Sequence, residues 1–204
     1  MIPASDALRR LQDGNQRYVA GRLKKVAEPS QDQRRELAGG QTPFAVVLGC
    51  SDSRVPVETV FDQGLGDLFV VRVAGNIVAS SQVGSVEFAA QVFGTRLVVV
   101  LGHSNCGAVK ATLDGLRAAG ERPSPGLHSI VARIEPVVAP LLAAGETEGE
   151  ELVDAAVKAN VHASVDELIR QSEILQQLVA EDGLVVVGAE YSLDSGEVEF
   201  FGAA

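Results

Sequence analysis

Four short runs of apolar, mostly β-branched residues constrain the fold of this 204-residue chain more than any other feature. The runs lack the polar alternation of half-exposed strands, so they predict strands buried on both faces, as in a parallel sheet. Helical segments between them predict an α/β fold with helices on both faces of the sheet. The predicted strands are 44–49, 67–72, 96–101 and 184–188, and the predicted helices are about 80–93, about 107–119 and two longer ones within 126–180.

The two ends of the chain complete the predicted architecture. An amphipathic helix capped by Ser5 or Asp6, followed by a short helix from Ser30, forms a helical arm. The run at 197–201 alternates polar and apolar residues after a turn-forming Asp-Ser-Gly, which predicts an antiparallel edge strand paired with the fourth strand. We therefore predict a single α/β domain with a mostly parallel four-stranded sheet, helices on its faces, an antiparallel C-terminal edge strand and an N-terminal arm. The predicted domain is 1–204, with the arm at 1–40 and the core at 41–204.

The net charge of the chain disfavours certain classes of binding partner. The formal net charge is −10, with 27 acidic and 17 basic residues, which disfavours nucleic acid and anionic membranes as partners. The first 22 residues lack the apolar run of a signal peptide, and the apolar run at 97–101 is too short to span a bilayer. We expect a cytoplasmic protein whose two cysteines are thiols or metal ligands rather than a disulfide.

Three metal-binding side chains follow predicted strands. Cys50 comes directly after the first strand, His103 after the third, and Cys106 lies three residues further on, at a helix start. Because the carboxyl ends of parallel strands share one edge of the sheet, these side chains should converge. A catalytic zinc uses three protein ligands of this kind and one water. Each residue alone would more often be a buried structural residue, but together they predict one zinc ion per chain.

A carboxylate and a guanidinium follow the first cysteine. Asp52 could ligate zinc directly or accept a hydrogen bond from zinc-bound water. Arg54 offers a two-point hydrogen-bonding fork that could hold Asp52 away from the metal. This predicts a site that is closed to water with Asp52 on zinc and open with Asp52 on Arg54. The alternative is a surface ion pair that contributes little.

These segments resemble the paired signature of the β-class carbonic anhydrases. The resemblance covers about residues 41–110 and is carried by Cys50-Ser-Asp-Ser-Arg54, Gly102-His-Ser-Asn-Cys-Gly107, Ala74-Gly-Asn76 and Gly84-Ser-Val-Glu-Phe88. It implies that Cys50, His103 and Cys106 are zinc ligands. It implies that Asp52 and Arg54 form a catalytic dyad, with Asp52 as a fourth zinc ligand in the inactive form. It also implies a homodimer or tetramer, with the N-terminal helix wrapped over the partner, and a carbon dioxide pocket lined by Gln41, Phe69 and Phe88, some of them from the adjoining subunit.

The implied reaction is the reversible hydration of carbon dioxide to bicarbonate and a proton, by attack of zinc-bound hydroxide. Because two thiolates donate charge to the zinc, we expect activity to rise on the alkaline side. One subgroup of the family has a regulatory bicarbonate pocket with a Trp three residues before the first zinc cysteine. Here that position is Val47, although Arg72 and Tyr191 remain, so the complete pocket is not predicted.

Three alternatives fit parts of the same pattern. A cysteine hydrolase would use Cys50 as nucleophile and His103 as base, and would leave Cys106 without a role. A zinc-binding protein without catalysis would hold the same metal. A relative that hydrolyses carbon disulfide or carbonyl sulfide would use the same zinc chemistry.

Overall fold

A single sheet forms the centre of the computed structural model, which describes residues 2–24, 30–117, 123–145 and 147–203. Its strands are β1 (Ala45–Gly49), β2 (Leu68–Arg72), β3 (Leu97–His103), β4 (Val185–Tyr191) and β5 (Val198–Ala203). They lie in the order β2-β1-β3-β4-β5. The first four are parallel, and β5 runs antiparallel to β4 at the edge. The predicted fold class is confirmed.

Burial on both faces explains why the strand runs are continuously apolar. Every residue of β1 and β3 is buried. Val47 and Val99 pack on one side of the sheet, and their neighbours Val46 and Val98 pack on the other. A polar residue at any of these positions would lie in a core without water. The parallel register pairs Gly49 with Leu101, so β1 and β3 end at the same edge.

The helices surround this sheet. Their bounds are α1 (Ala4–Val19), α2 (Gln31–Leu37), α3 (Val57–Val60), α4 (Ser80–Val92), α5 (Gly107–Arg117), α6 (Pro125–Ala144), α7 (Gly149–Arg170) and α8 (Glu173–Glu181). The short helix predicted from Ser30 is confirmed as α2, and Ser30 and Gln33 form a capping box at its start. Residues 118–119 of the helix predicted after Cys106 lie outside the described residues.

Two details of the helix prediction are wrong. The first helix is not capped by Ser5 or Asp6, since it begins at Ala4 after Pro3, whose carbonyl accepts from the Ala7 N–H at 3.0 Å. The region predicted to hold two long helices holds three. The third helix separates because the Ser172 side chain accepts a hydrogen bond from the Leu175 N–H and starts α8 there.

The helix α1 packs against the sheet of its own chain. Ala7 and Leu11 are fully buried in the cluster that lies on one face of the sheet. Gly14 allows the close approach, since a Cβ atom there would lie 1.8 Å from the carbonyl oxygen of Phe61. The buried Asn15 side chain donates to the carbonyl of Gly196 at 2.8 Å. Ala7 and Leu11 of α1 are therefore covered within one chain, while the contact of α1 with a partner and the arm boundary at residue 40 stay predictions.

The remaining helices form two further layers. Residues of α4, α7 and α8 cover the opposite face of the sheet, and α5, α6 and part of α7 pack around Cys50 and Cys106. The sequence interpretation overlooked one property of α6. This 20-residue helix is long and apolar enough, by length and composition alone, to cross a membrane. It packs against α5 and α7 in the described part of the chain.

Candidate metal centre

The three candidate ligands meet at the carboxyl edge of the sheet. Cys50 follows β1, His103 is the last residue of β3, and Cys106 immediately precedes α5. Because β1 and β3 are parallel neighbours with Gly49 opposite Leu101, Cys50 and His103 follow these two residues at the same edge of the sheet. One ligand atom from each residue lies within 4.8 Å of the other two, and all three residues are buried. The predicted convergence of Cys50, His103 and Cys106 is confirmed as geometry.

The orientation of His103 fits a metal ligand. Its Nδ1 lies 2.9 Å from the carbonyl oxygen of Ser104. A carbonyl can only accept, so Nδ1 carries the proton and the lone pair stays on Nε2. Within the described residues, Nε2 is buried and has no hydrogen-bond partner. A buried acceptor without a partner is costly unless something binds it, and a metal ion would satisfy it together with the two sulfur atoms.

The two cysteines are strongly coupled. A hydrogen bond from the Cys106 thiol, together with one from the Gly75 N–H, holds the pKa of Cys50 well below its usual range against the opposing effect of burial. The same sulfur pair and the burial of the site raise the pKa of Cys106. Two close sulfurs that share one proton can lose it to solvent when a thiophilic cation such as zinc binds them.

Asp52 lies next to the ligands but is held by Arg54. The guanidinium donates to both carboxylate oxygens, from Nε at 2.9 Å and from Nη2 at 2.8 Å, and the Arg54 backbone N–H donates at 3.0 Å. The hydrogen bonds from Arg54 keep the pKa of Asp52 well below its usual range. Asp52 Oδ2 lies 3.8 Å from Nε2 of His103. The carboxylate is therefore ionised and adjacent to the ligand set, in the arrangement predicted for the open state.

Arg72 has a position that the sequence interpretation missed. Its Nε donates to the carbonyl of Cys50 at 2.9 Å, and its Nη2 donates to the carbonyl of Asp52 at 2.6 Å. The end of β2 thereby fixes the segment that carries Cys50 and Asp52. The other remnant of the bicarbonate pocket, Tyr191, hydrogen-bonds to the hydroxyl of Tyr18 at 3.1 Å. Both residues have partners within the chain.

The turn that follows β2 contacts Cys50. Residues Ala74–Asn76 form a single turn of 3₁₀ helix in which Gly75 has φ of 69°. The backbone N–H of Gly75 donates to the Cys50 sulfur at 3.3 Å. The sequence interpretation included Ala74-Gly-Asn76 in the resemblance to the β-class carbonic anhydrases but assigned no physical role to it. An N–H···S hydrogen bond of this kind stabilises a thiolate and tunes its donation to a metal.

The predicted substrate residues lie elsewhere on the chain. The rings of Phe69 and Phe88 have centroids 6.3 Å apart and form a cluster with Phe93. Phe69 pairs with Val46, four residues before Cys50, which corresponds to about 13 Å along the strand. Gln41 precedes β1 and lies toward the opposite edge of the sheet. One chain does not bring these side chains to its own metal ligands.

Comparison with known proteins gives concordant results. Residues 45–198 match the protein family described as carbonic anhydrase. The chain is similar to carbonic anhydrase 2 of Mycobacterium tuberculosis, with 43% identity over 190 residues that span 93% of this chain and 89% of the relative. It is 44% identical to a carbonic anhydrase of Mycolicibacterium smegmatis over 195 residues, which span 95% and 91% of the two chains. A tetrameric β-carbonic anhydrase of Sordaria macrospora superposes with a TM-score of 0.76 at 25% identity, covering 97% of this chain and 98% of that one.

Proposed function

The chain belongs to the β-class carbonic anhydrase family, whose members are lyases, and on that premise we propose that it catalyses the reversible hydration of carbon dioxide to bicarbonate and a proton with one zinc ion per chain. The observation that carries the proposal is the buried cluster of Cys50, His103 and Cys106, whose ligand atoms lie within 4.8 Å of one another. Two thiolates and one imidazole are a donor set that zinc prefers.

The chain contributes the ligands and their orientation. Zinc bound there supplies a Lewis acid that lowers the pKa of a water molecule from about 15.7 towards about 7. Hydrogen bonding of His103 Nδ1 to the Ser104 carbonyl fixes the imidazole with Nε2 facing the cluster. The buried ligands exclude bulk water from the sulfur atoms, which strengthens every electrostatic interaction in the site.

Asp52, held in place by Arg54, gives the site a fixed hydrogen-bond acceptor. Because Arg54 keeps Asp52 ionised, the carboxylate can accept a hydrogen bond but cannot donate one at neutral pH. This favours a bound group that carries an O–H, which water and bicarbonate both do and carbon dioxide does not. In this proposal Asp52 would become a fourth metal ligand by giving up its two contacts with the Arg54 guanidinium. The dyad thus sets whether the fourth position is available.

The site also needs a second chain. Gln41, Phe69 and Phe88 line the carbon dioxide pocket in this proposal, yet they lie away from the ligands of their own chain. Phe88 is 49% exposed and its neighbour Val92 is 59% exposed, so the aromatic cluster has an open apolar side. A homodimer or tetramer would bring this cluster to the ligand edge of a partner.

A cytoplasmic location stays a prediction.

A stopped-flow pH-indicator assay with carbon dioxide, together with zinc analysis of the same sample, tests the proposal. The expected result is rapid hydration by wild type, with zinc and activity both lost in Cys106→Ser. A cysteine hydrolase would be active without metal, and a zinc-binding protein without catalysis would hold zinc but leave carbon dioxide unchanged. Faster turnover of carbonyl sulfide or carbon disulfide than of carbon dioxide would instead identify the sulfur-substrate hydrolase.

A further inference from the structure

A buried asparagine on α7 is linked through one glycine to a candidate metal ligand. Asn160 is 2% exposed and lies on the apolar face of α7, between Val157 and Val161. Its Nδ2 donates to the carbonyl of Gly75 at 2.8 Å. An amide buried among aliphatic side chains is destabilising unless its hydrogen bonds are made, so this contact holds a definite geometry.

Gly75 also contacts the metal site, through the peptide group on its N-terminal side. The N–H of Gly75 donates to the sulfur of Cys50 at 3.3 Å, while its carbonyl accepts from Asn160. Gly75 is also confined on its sides, since a Cβ atom there would lie 2.8 Å from Ile134 Cδ1 and 3.1 Å from Ala108 Cβ. Asn160 is therefore placed to fix how the Gly75 N–H is aimed at the sulfur.

Close packing of α7 on the sheet makes this contact attainable. A Cβ atom at Gly102 would lie 2.5 Å from Val161 Cγ2 and 3.3 Å from Val157 Cγ1. The missing side chain at Gly102 lets α7 lie directly against β3, one residue before His103. The helix segment that carries Asn160 thereby comes within hydrogen-bonding distance of the turn beside Cys50.

We infer that Asn160 is a positioning residue of the metal centre, which holds Gly75 so that its N–H donates to the Cys50 sulfur and thereby sets how firmly this ligand retains zinc. The inference rests on the zinc site proposed above. A hydrogen bond to a coordinating sulfur draws electron density from it, so losing the bond changes both metal retention and the metal–sulfur charge transfer. Asn160 itself touches neither metal nor substrate.

The test measures zinc transfer from the holoenzyme to the chromophoric chelator 4-(2-pyridylazo)resorcinol. Asn160→Leu removes the donor while keeping the number and branching of the side-chain heavy atoms, and it should change the release rate roughly 10-fold or more. The matched control is Asn15→Leu, because Asn15 is 5% exposed and donates to two backbone carbonyls at the other face of the sheet. Both variants should lower Tm, but only Asn160→Leu should alter zinc release.

A spectroscopic readout separates positioning from general destabilisation. In the cobalt-substituted protein, the thiolate-to-cobalt charge-transfer band should shift in Asn160→Leu and stay in place in Asn15→Leu. If Asn160→Leu does not fold, Asn160→Ser replaces it, since the shorter serine side chain does not reach the Gly75 carbonyl. Wild-type zinc release and an unmoved band in the Asn160 variant would overturn the inference alone. A wild-type chain that binds no zinc would overturn the zinc site as well.

Discussion

Replacing Gly75 by alanine should disturb both the stability of the chain and its metal site. The added Cβ atom would lie 2.8 Å from Ile134 Cδ1 and 3.1 Å from Ala108 Cβ. Ile134 is fully buried, and Ala108 is part of α5, so its Cβ atom moves only with the helix backbone. Neither neighbour can therefore move into solvent. The residue also has φ of 69°, a left-handed conformation that glycine adopts more readily than alanine.

The magnitude follows from these two effects. A left-handed conformation costs a non-glycine residue roughly 1–2 kcal/mol, and overpacking a buried site costs about 1–3 kcal/mol. Together they predict a loss of about 2–5 kcal/mol in the free energy of unfolding. For a chain of this length that corresponds to a fall in Tm of roughly 4–20 °C.

Urea denaturation at fixed protein concentration, with and without added zinc, measures the effect. The control is Gly84→Ala, because Gly84 lies in α4 with no atom within 4 Å of an added Cβ. That substitution should be neutral or slightly stabilising, since alanine is the better helix former. Gly75→Ala should also release zinc faster, because it displaces the N–H that contacts Cys50. Equal urea midpoints for Gly75→Ala and wild type would refute the packing argument.

Three further predictions follow from other contacts. Arg54→Ala should lower carbon dioxide hydration roughly 10- to 100-fold with zinc content unchanged, and Arg54→Lys should not restore it because a lysine lacks the two-point contact with Asp52; wild-type turnover in either variant would contradict the dyad. Gly14→Ala should dislodge α1 and lower stability by at least about 2 kcal/mol, seen as early proteolysis of α1, because its Cβ would lie 1.8 Å from the Phe61 carbonyl oxygen; unchanged resistance to protease would contradict the packing of α1. Burial raises the pKa of Glu190 against the opposing charge of Lys158. Its contribution to stability is therefore complete below the unfolded pKa of about 4.3 and is lost as the pH rises through the higher folded value. Glu190→Gln should raise the urea midpoint relative to wild type at pH 8 but not at pH 4, and an equal difference at both values would rule this out.

The sequence was sufficient for the strands and for the grouping of the candidate metal ligands, and the reason is physical. A strand buried on both faces must be apolar at every position, so β1 and β3 are visible as continuous runs. Cysteine and histidine placed directly after such runs must lie at one edge of a parallel sheet. Cys50, His103 and Cys106 could therefore be grouped from the sequence alone.

The support around the ligands could not be predicted in this way. Asn160 and Gly75 are 85 positions apart, and their contact exists only because α7 lies directly against Gly102. No local sequence pattern indicates that these two residues are close in space. The contacts of Arg72 with the carbonyls of Cys50 and Asp52 likewise depend on the register of β1 and β2. Because every residue has a backbone carbonyl, the sequence does not indicate which carbonyls accept these hydrogen bonds.

The location of the aromatic cluster also required the structure. The sequence interpretation placed carbon dioxide against Phe69 and Phe88 but could not say which chain supplies them. The register of β2 on β1 sets Phe69 opposite Val46, well before the ligand edge. A complete site in this account therefore combines the ligands of one chain with the aromatic residues of another.

Zinc K-edge X-ray absorption of the purified protein identifies the atoms that surround the metal, and elemental analysis of the same sample gives the zinc content. We expect one zinc per chain, with two sulfur neighbours from Cys50 and Cys106 and lighter atoms completing the shell, one of them His103 Nε2. The Cys106→Ser protein should lose zinc or show only one sulfur neighbour. A zinc shell without sulfur, or a fully active protein without zinc, would contradict the account.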